Sequence, residues 1–204
     1  MTQVFLVHGM GRTPRSLGLL AWRLERTGLR TSCFAYQVRE QSLEQIAARF
    51  AAHVREHAIG RYAIIGHSLG NVIARLASPR LPEGFAHFVM LAPPNRPSRL
   101  ARLLGEHDLT RSVFSAFTRD AGKCLASPAF YERLPVPSVP TLIFAGTSGP
   151  RTKWLPFAGA ISDGIVALEE TFLPGAEHHE IAAIHTFIMN EASVAKAIVK
   201  FVAR

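Results

Sequence analysis

Ala63-Ile64-Ile65-Gly66-His67-Ser68-Leu69-Gly70-Asn71-Val72-Ile73-Ala74 passes from an apolar run through Gly-x-Ser-x-Gly straight into a helical pattern. Tyr62 to Ile65 is rich in strand-forming residues, whereas Leu69, Val72, Ile73 and Leu76 recur at the spacing of one helical face. A chain that turns this sharply from strand to helix leaves no room for a β-carbon at 66 or 70, and glycine stands at both positions. Ser68 is thereby pushed out at the strand's C-terminal end. The helix begins beside it, so the first unpaired amides face any anion that forms at the hydroxyl.

Working outward from this turn, strands and helices alternate. Gln3 to Val7 reads as a buried strand ending in His8-Gly9-Met10-Gly11, and Thr13 and Pro14 then open a helix with Leu17, Leu20, Ala21 and Leu24 on one face, closed by Gly28. Residues 30–36 give a second strand. Ser42-Leu43-Glu44-Gln45 is a capping box that starts a helix carrying Ile46, Ala47, Phe50 and Val54 inward. After the elbow come strands at 85–92, 141–146 and, more weakly, 179–184, and Val194, Ile198, Phe201 and Val202 mark a last amphipathic helix. This order predicts an α/β fold, a three-layer sandwich with a mainly parallel sheet of about six strands covered by helices on both faces.

At 204 residues and 48% hydrophobic content, the chain is expected to form one domain, 1–204, with a continuous core. Two stretches exceed ordinary connections. Residues 93–140, with Leu109, Val113, Phe114 and Phe117 among their apolar side chains, read either as a small cap over the strand ends or as one crossover helix with ragged flanks. Residues 147–162 contain Trp154-Leu155-Pro156-Phe157, which either line an acyl pocket or complete the core.

The opening Met1 to His8 has neither a basic n-region nor a cleavage site, which predicts a cytoplasmic chain. Cys33 and Cys124 stand in no metal or redox spacing and read as free thiols. The formal charge of +8 comes mostly from scattered arginines without interleaved aromatics. A solvated basic surface is expected, with weak attraction to anionic surfaces and no nucleic-acid partner.

An exposed serine hydroxyl is a weak nucleophile until an imidazole takes its proton, and the imidazole needs a carboxylate to fix its tautomer. Both should lie at the C-terminal ends of strands. Of the nine histidines, His8 and His67 belong to turns, His53 and His57 to a polar helix face, His87 to a strand start and His107 to the long insertion. His178 and His179 stand at the start of the last predicted strand, its wrong end for a base, and with Glu180 they alternate in direction, a poor arrangement for a metal. His185 follows that strand and is the candidate base. Among Asp163, Glu169, Glu170 and Glu177, Asp163 is the candidate acid, because it precedes Gly164 in a loop free to turn toward the imidazole, whereas 165–172 reads as extended. The amides of Met10 and Leu69 are the candidate oxyanion donors.

His8-Gly9-Met10-Gly11, Gly66-His67-Ser68-Leu69-Gly70, Asp163-Gly164-Ile165-Val166 and His185-Thr186-Phe187 resemble, in this order, the four signature regions of compact bacterial α/β-hydrolases of the lipase and esterase group. The resemblance spans nearly the whole chain. It implies a six-stranded core sheet, ester hydrolysis by a serine nucleophile, a small-molecule ester or acyl substrate, and no obligatory cofactor or metal. Acyl transfer or thioester hydrolysis by the same three side chains is an alternative, as is a non-catalytic binding role on this scaffold.

Overall fold

The computed structural model describes residues 2–106, 112, 116–152, 157 and 159–204. Six parallel strands form one sheet in the order β2-β1-β3-β4-β5-β6: β1 Gln3–Val7, β2 Arg30–Phe34, β3 Tyr62–His67, β4 Phe85–Leu91, β5 Thr141–Gly146 and β6 Glu177–Ile181. Alternation along β1 shows why two layers cover this sheet. Phe5 and Val7 point into one core with β3 residue Ile64, whereas Val4 and Leu6 join Ala63 and Ile65 in the other.

The first core is closed by α2 (Leu43–His57) and α3 (Leu69–Ala77), through Leu43, Ile46, Phe50, Val54, Val72 and Ile73. The second is closed by α1 (Gly18–Glu25) and by the last helix, α7 (Ala192–Val202), through Leu20, Leu24, Val194, Ile198 and Phe201. Among the described residues, the 93–140 stretch includes the short helices α4 (Arg99–Glu106), α5 (Ala121–Ala126) and α6 (Pro128–Arg133). Ala101, Ala121, Leu125 and Leu134 bury against the α2–α3 core, so this stretch packs on the domain along part of its length. Leu109, Val113 and Phe114, like His107 and Trp154-Leu155-Pro156, lie outside the described residues; Phe157 is buried.

Three local readings need correction. A short 3-10 turn, Pro14–Leu17, precedes α1, and the Thr13 side chain makes no capping bond. The last strand runs Glu177–Ile181 instead of 179–184, so it starts and ends earlier than expected and takes in His178 as well as His179. Residues 168–171 are not extended: they form a 3-10 turn, Leu168–Thr171, in which buried Glu170 accepts from the Ala167 amide at 3.0 Å and from the Arg99 amide at 2.8 Å. Burial raises the Glu170 carboxyl above the ordinary carboxylate range, against the pull of those two amides.

Strand order reverses between β1 and β3, because the chain leaves β1 for β2 on one side and returns to β3 on the other. Open α/β sheets place a crevice at the C-terminal ends of such a pair. Val7 is in register with Gly66, so the loop after β1 and the turn carrying Ser68 leave the sheet side by side.

Candidate active site

Ser68 occupies the turn between β3 and α3 with φ 51° and ψ −121°, a backbone conformation that side-chain-bearing residues seldom adopt. The neighbouring packing forces it there. A β-carbon at Gly66 would fall 2.7 Å from the Asn71 amide nitrogen, and one at Gly70 would fall 2.7 Å from the His8 carbonyl oxygen. The turn is also pinned through the backbone. The Ser68 amide donates to Leu91 O at 2.9 Å, and Asn71 Nδ2 donates to both Ser68 O and Leu91 O at 3.1 Å. Asn71 is fully buried and ties the elbow to β4, a role the sequence reading missed.

The loop after β1 lies directly over this turn. A β-carbon on Gly9 would approach Ser68 Cβ to 3.2 Å and His67 Nδ1 to 2.9 Å, which places Met10 in the stretch leading away from Ser68. Among the described residues neither the Met10 nor the Leu69 amide is engaged in a turn or cap hydrogen bond.

Asp163 and His185 come together although the sequence separates them by a strand. The ring of His185 donates from Nδ1 to Asp163 Oδ2 at 2.7 Å. The other carboxylate oxygen, Oδ1, accepts from the Ile165 and Val166 amides at 2.9 and 2.7 Å, so both oxygens of this buried group are satisfied. The two loops are joined a second time by the His185 amide donating to Asp163 O at 3.0 Å. Both are anchored on β5 and β6: Ser148 N donates to Ala183 O at 3.2 Å and Thr147 N to Ile181 O at 2.9 Å.

His67 connects the halves of the site. Its Nε2 donates to the His185 carbonyl at 3.0 Å, and the two rings lie 4.9 Å apart. Complete burial, with His185 next in importance, drives the His67 imidazole down to a pKa of about 3, so it stays neutral. Among the described residues Ser68 Oγ makes no side-chain hydrogen bond; contacts of this kind commonly tighten only when substrate is bound.

His178 and His179 are engaged elsewhere. His178 Nε2 is 2.8 Å from Thr171 Oγ1 and its ring stacks on Phe172, while His179 bonds Glu177 at 2.8 Å. Among the described residues no group of three or more His, Cys, Asp or Glu side chains is placed to hold a metal ion. No described helix is long and apolar enough to cross a membrane.

No protein-family model matches the chain, and no curated protein sequence does. Solved structures do match. The mature form of the Bacillus licheniformis lipase BlEst2 superposes with a TM-score of 0.75 at 15% identity, over 98% of this chain and 90% of that one. A pyrethroid hydrolase from Sphingobium faniae JZ-2 gives 0.66 at 14% identity, over 99% and 97%. The hydrolase olei00960 from Oleispira antarctica gives 0.62 at 16% identity, over 100% and 92%. With the strand order and the elbow already described, these likenesses show that the chain has the α/β-hydrolase fold.

Proposed function

We propose that this protein is a serine hydrolase that cleaves a carboxylic ester of a small molecule through an acyl-enzyme. The observation that carries this reading is the buried Asp163 carboxylate, held by two amides and bonded to His185 Nδ1, in loops joined through His67 to the turn that presents Ser68. A carboxylate on Nδ1 keeps that nitrogen protonated and leaves Nε2 as a base. His185 Nε2 then takes the Ser68 proton as Oγ bonds to the ester carbon, and the Met10 and Leu69 amides receive the oxyanion. Collapse of the tetrahedral adduct breaks the bond to the leaving alkoxide, which takes the proton from His185. Water, activated by the same imidazole, frees Ser68. These steps need no metal or organic cofactor. The neighbours named as a lipase and a pyrethroid hydrolase support ester cleavage on this scaffold.

Turnover of p-nitrophenyl butyrate tests the reading. Ser68→Ala is expected to lower kcat by at least about 10⁴-fold, because members of such a constellation act as a unit. A fluorophosphonate probe should label the wild type at Ser68 and leave the folded variant untouched. Equal turnover by both proteins would refute the assignment.

A further inference from the structure

A cleft of about 800 Å³ opens beside the site, between the loop after β1 and the loop after β2. Its floor is His8 and Tyr36, whose rings stack in parallel at 4.2 Å. Met10, one of the two proposed oxyanion residues, lines it, so the cleft borders the place proposed for the ester carbonyl.

Three arginines from three separate elements line it: Arg12 from the β1 loop, Arg39 from the β2 loop and Arg49 from α2. Their positions are fixed by neutral neighbours. Arg12 Nη2 donates to Thr186 Oγ1 at 2.9 Å, directly beside His185; Arg39 lies 3.9 Å over the Phe117 ring; Arg49 Nη1 donates to Gln41 Oε1. Among the described residues, none of the three lies within 4 Å of a carboxylate. The one acid in the lining is exposed Glu40, whose carbonyl accepts from a further arginine, Arg119, at 2.6 Å.

Scattered surface arginines ordinarily find acidic neighbours or spread apart by mutual repulsion. Here three converge on one concavity and are held by a hydroxyl, an aromatic face and an amide, all of which leave donor N–H groups unspent. A second feature sits in the floor: among the described residues His8 Nε2 is buried and without a hydrogen-bond partner, and burial lowers that imidazole's pKa.

We propose that the cleft binds an anionic group, carboxylate or phosphate, on the ester that Ser68 attacks, which makes anionic esters the preferred substrate class. This rests on the hydrolase reading. Arg39 and Arg49 are the chief binding residues, and Arg12 holds the anion on the side facing His185.

The test compares kcat/KM for neutral p-nitrophenyl butyrate with that for p-nitrophenyl hemiglutarate, whose carboxylate is in the acyl part, and 4-butanoyloxybenzoate, whose carboxylate is in the leaving group. The wild type should prefer one of the anionic esters by roughly tenfold or more, as expected for a charge-assisted bidentate contact. The preference should collapse toward unity in the double variant Arg39→Gln/Arg49→Gln and shrink in 0.5 M salt. Arg26→Gln, at the C-terminal end of α1 against Trp22 and outside the cleft lining, should keep it. Lysophosphatidylglycerol against lysophosphatidylcholine separates the sources of the anion: preference for the former alone assigns a lipid headgroup, and preference shared with the soluble esters assigns a small molecule.

An ester turned over without regard to charge, or a preference the double variant retains, would overturn the proposal while leaving the hydrolase reading intact. Should no ester react, the hydrolase reading falls and binding decides. Phenyl phosphate titrated into Ser68→Ala protein should bind, at least tenfold more weakly after Arg39→Gln/Arg49→Gln, and absence of saturable binding would overturn the anion site itself.

Discussion

Ser68 at φ 51° stores backbone strain of about 1 to 3 kcal/mol, and that strain persists only because neighbouring backbone leaves no other path. Gly70 is the tightest of these constraints, since its missing β-carbon would press on the Val7 and His8 carbonyls at the end of β1, which cannot swing aside as a flexible side chain would. Gly70→Ala is therefore expected to cost about 3 kcal/mol or more and to displace Ser68 from the β1 loop. Gly18 offers the matched control. It has helical φ −60° and ψ −39°, and a β-carbon there would meet nothing within 4 Å. Gly18→Ala should hold or raise stability by up to about 1 kcal/mol. Urea unfolding of both variants checks the pair: comparable losses would show that the elbow is not tightly packed. The strand-turn-helix at Ser68 and the pairing of Asp163 with His185 could be anticipated from the chain, because Gly-x-Ser-x-Gly, Asp163-Gly164 and His185 are local patterns standing in a set order. Asn71 and His67 could not be weighed in the same way. Their importance comes from bonds to Leu91 and His185, residues that only the folded sheet brings near.

Helix α2 shows an element whose beginning was written locally and whose position was not. Ser42 Oγ accepts from the Gln45 amide at 3.2 Å while Gln45 Oε1 accepts from the Ser42 amide at 2.9 Å, so the expected capping box is formed. Asp120, from the turn before α5, adds a contact from the Leu43 amide at 3.1 Å. Ser42→Ala should thus destabilise by about 0.5 to 2 kcal/mol. A shift of the urea midpoint with an unchanged slope would report this loss, and no shift would mean that Asp120 alone suffices as cap. Legibility followed burial among the strands. β1, β3 and β5 are buried along their whole length, and their apolar runs delimit them closely. β6, Glu-His-His-Glu-Ile, is an edge strand paired only with β5, with its charged side chains in water. Such polarity protects an open edge from pairing with other chains, and it also erases the hydrophobic signal, which is why the strand reads too late in the sequence.

The fold as a whole gathers charge and hides imidazoles, and neither property is visible along the chain. Arg12, Arg39 and Arg49 look like scattered solvated cations until the fold brings the β1 loop, the β2 loop and α2 together around one cleft. Five histidines, His8, His53, His67, His87 and His178, have pKa values lowered, in each case chiefly by burial, and His67 is moved furthest, to about 3. Unfolding frees these rings to bind protons at their ordinary value of 6.5. Between pH 6.5 and about 3 the unfolded chain therefore holds more protons at His67 than the native one, and stability falls as pH falls through that window. Each such proton contributes a slope of about 1.4 kcal/mol per pH unit. Glu170 acts in the opposite sense, because its raised carboxyl favours the protonated native form, and it offsets part of the loss above its ordinary value of 4.5. The Tm is expected to be level from pH 8 to 7 and to drop steadily from pH 6.5 to 5. His67→Gln keeps a neutral N–H donor within reach of the His185 carbonyl but cannot titrate, so its acid limb should be shallower by about one proton. Thermal unfolding of the two proteins across this range checks the account: parallel acid limbs would place the proton uptake on residues other than His67.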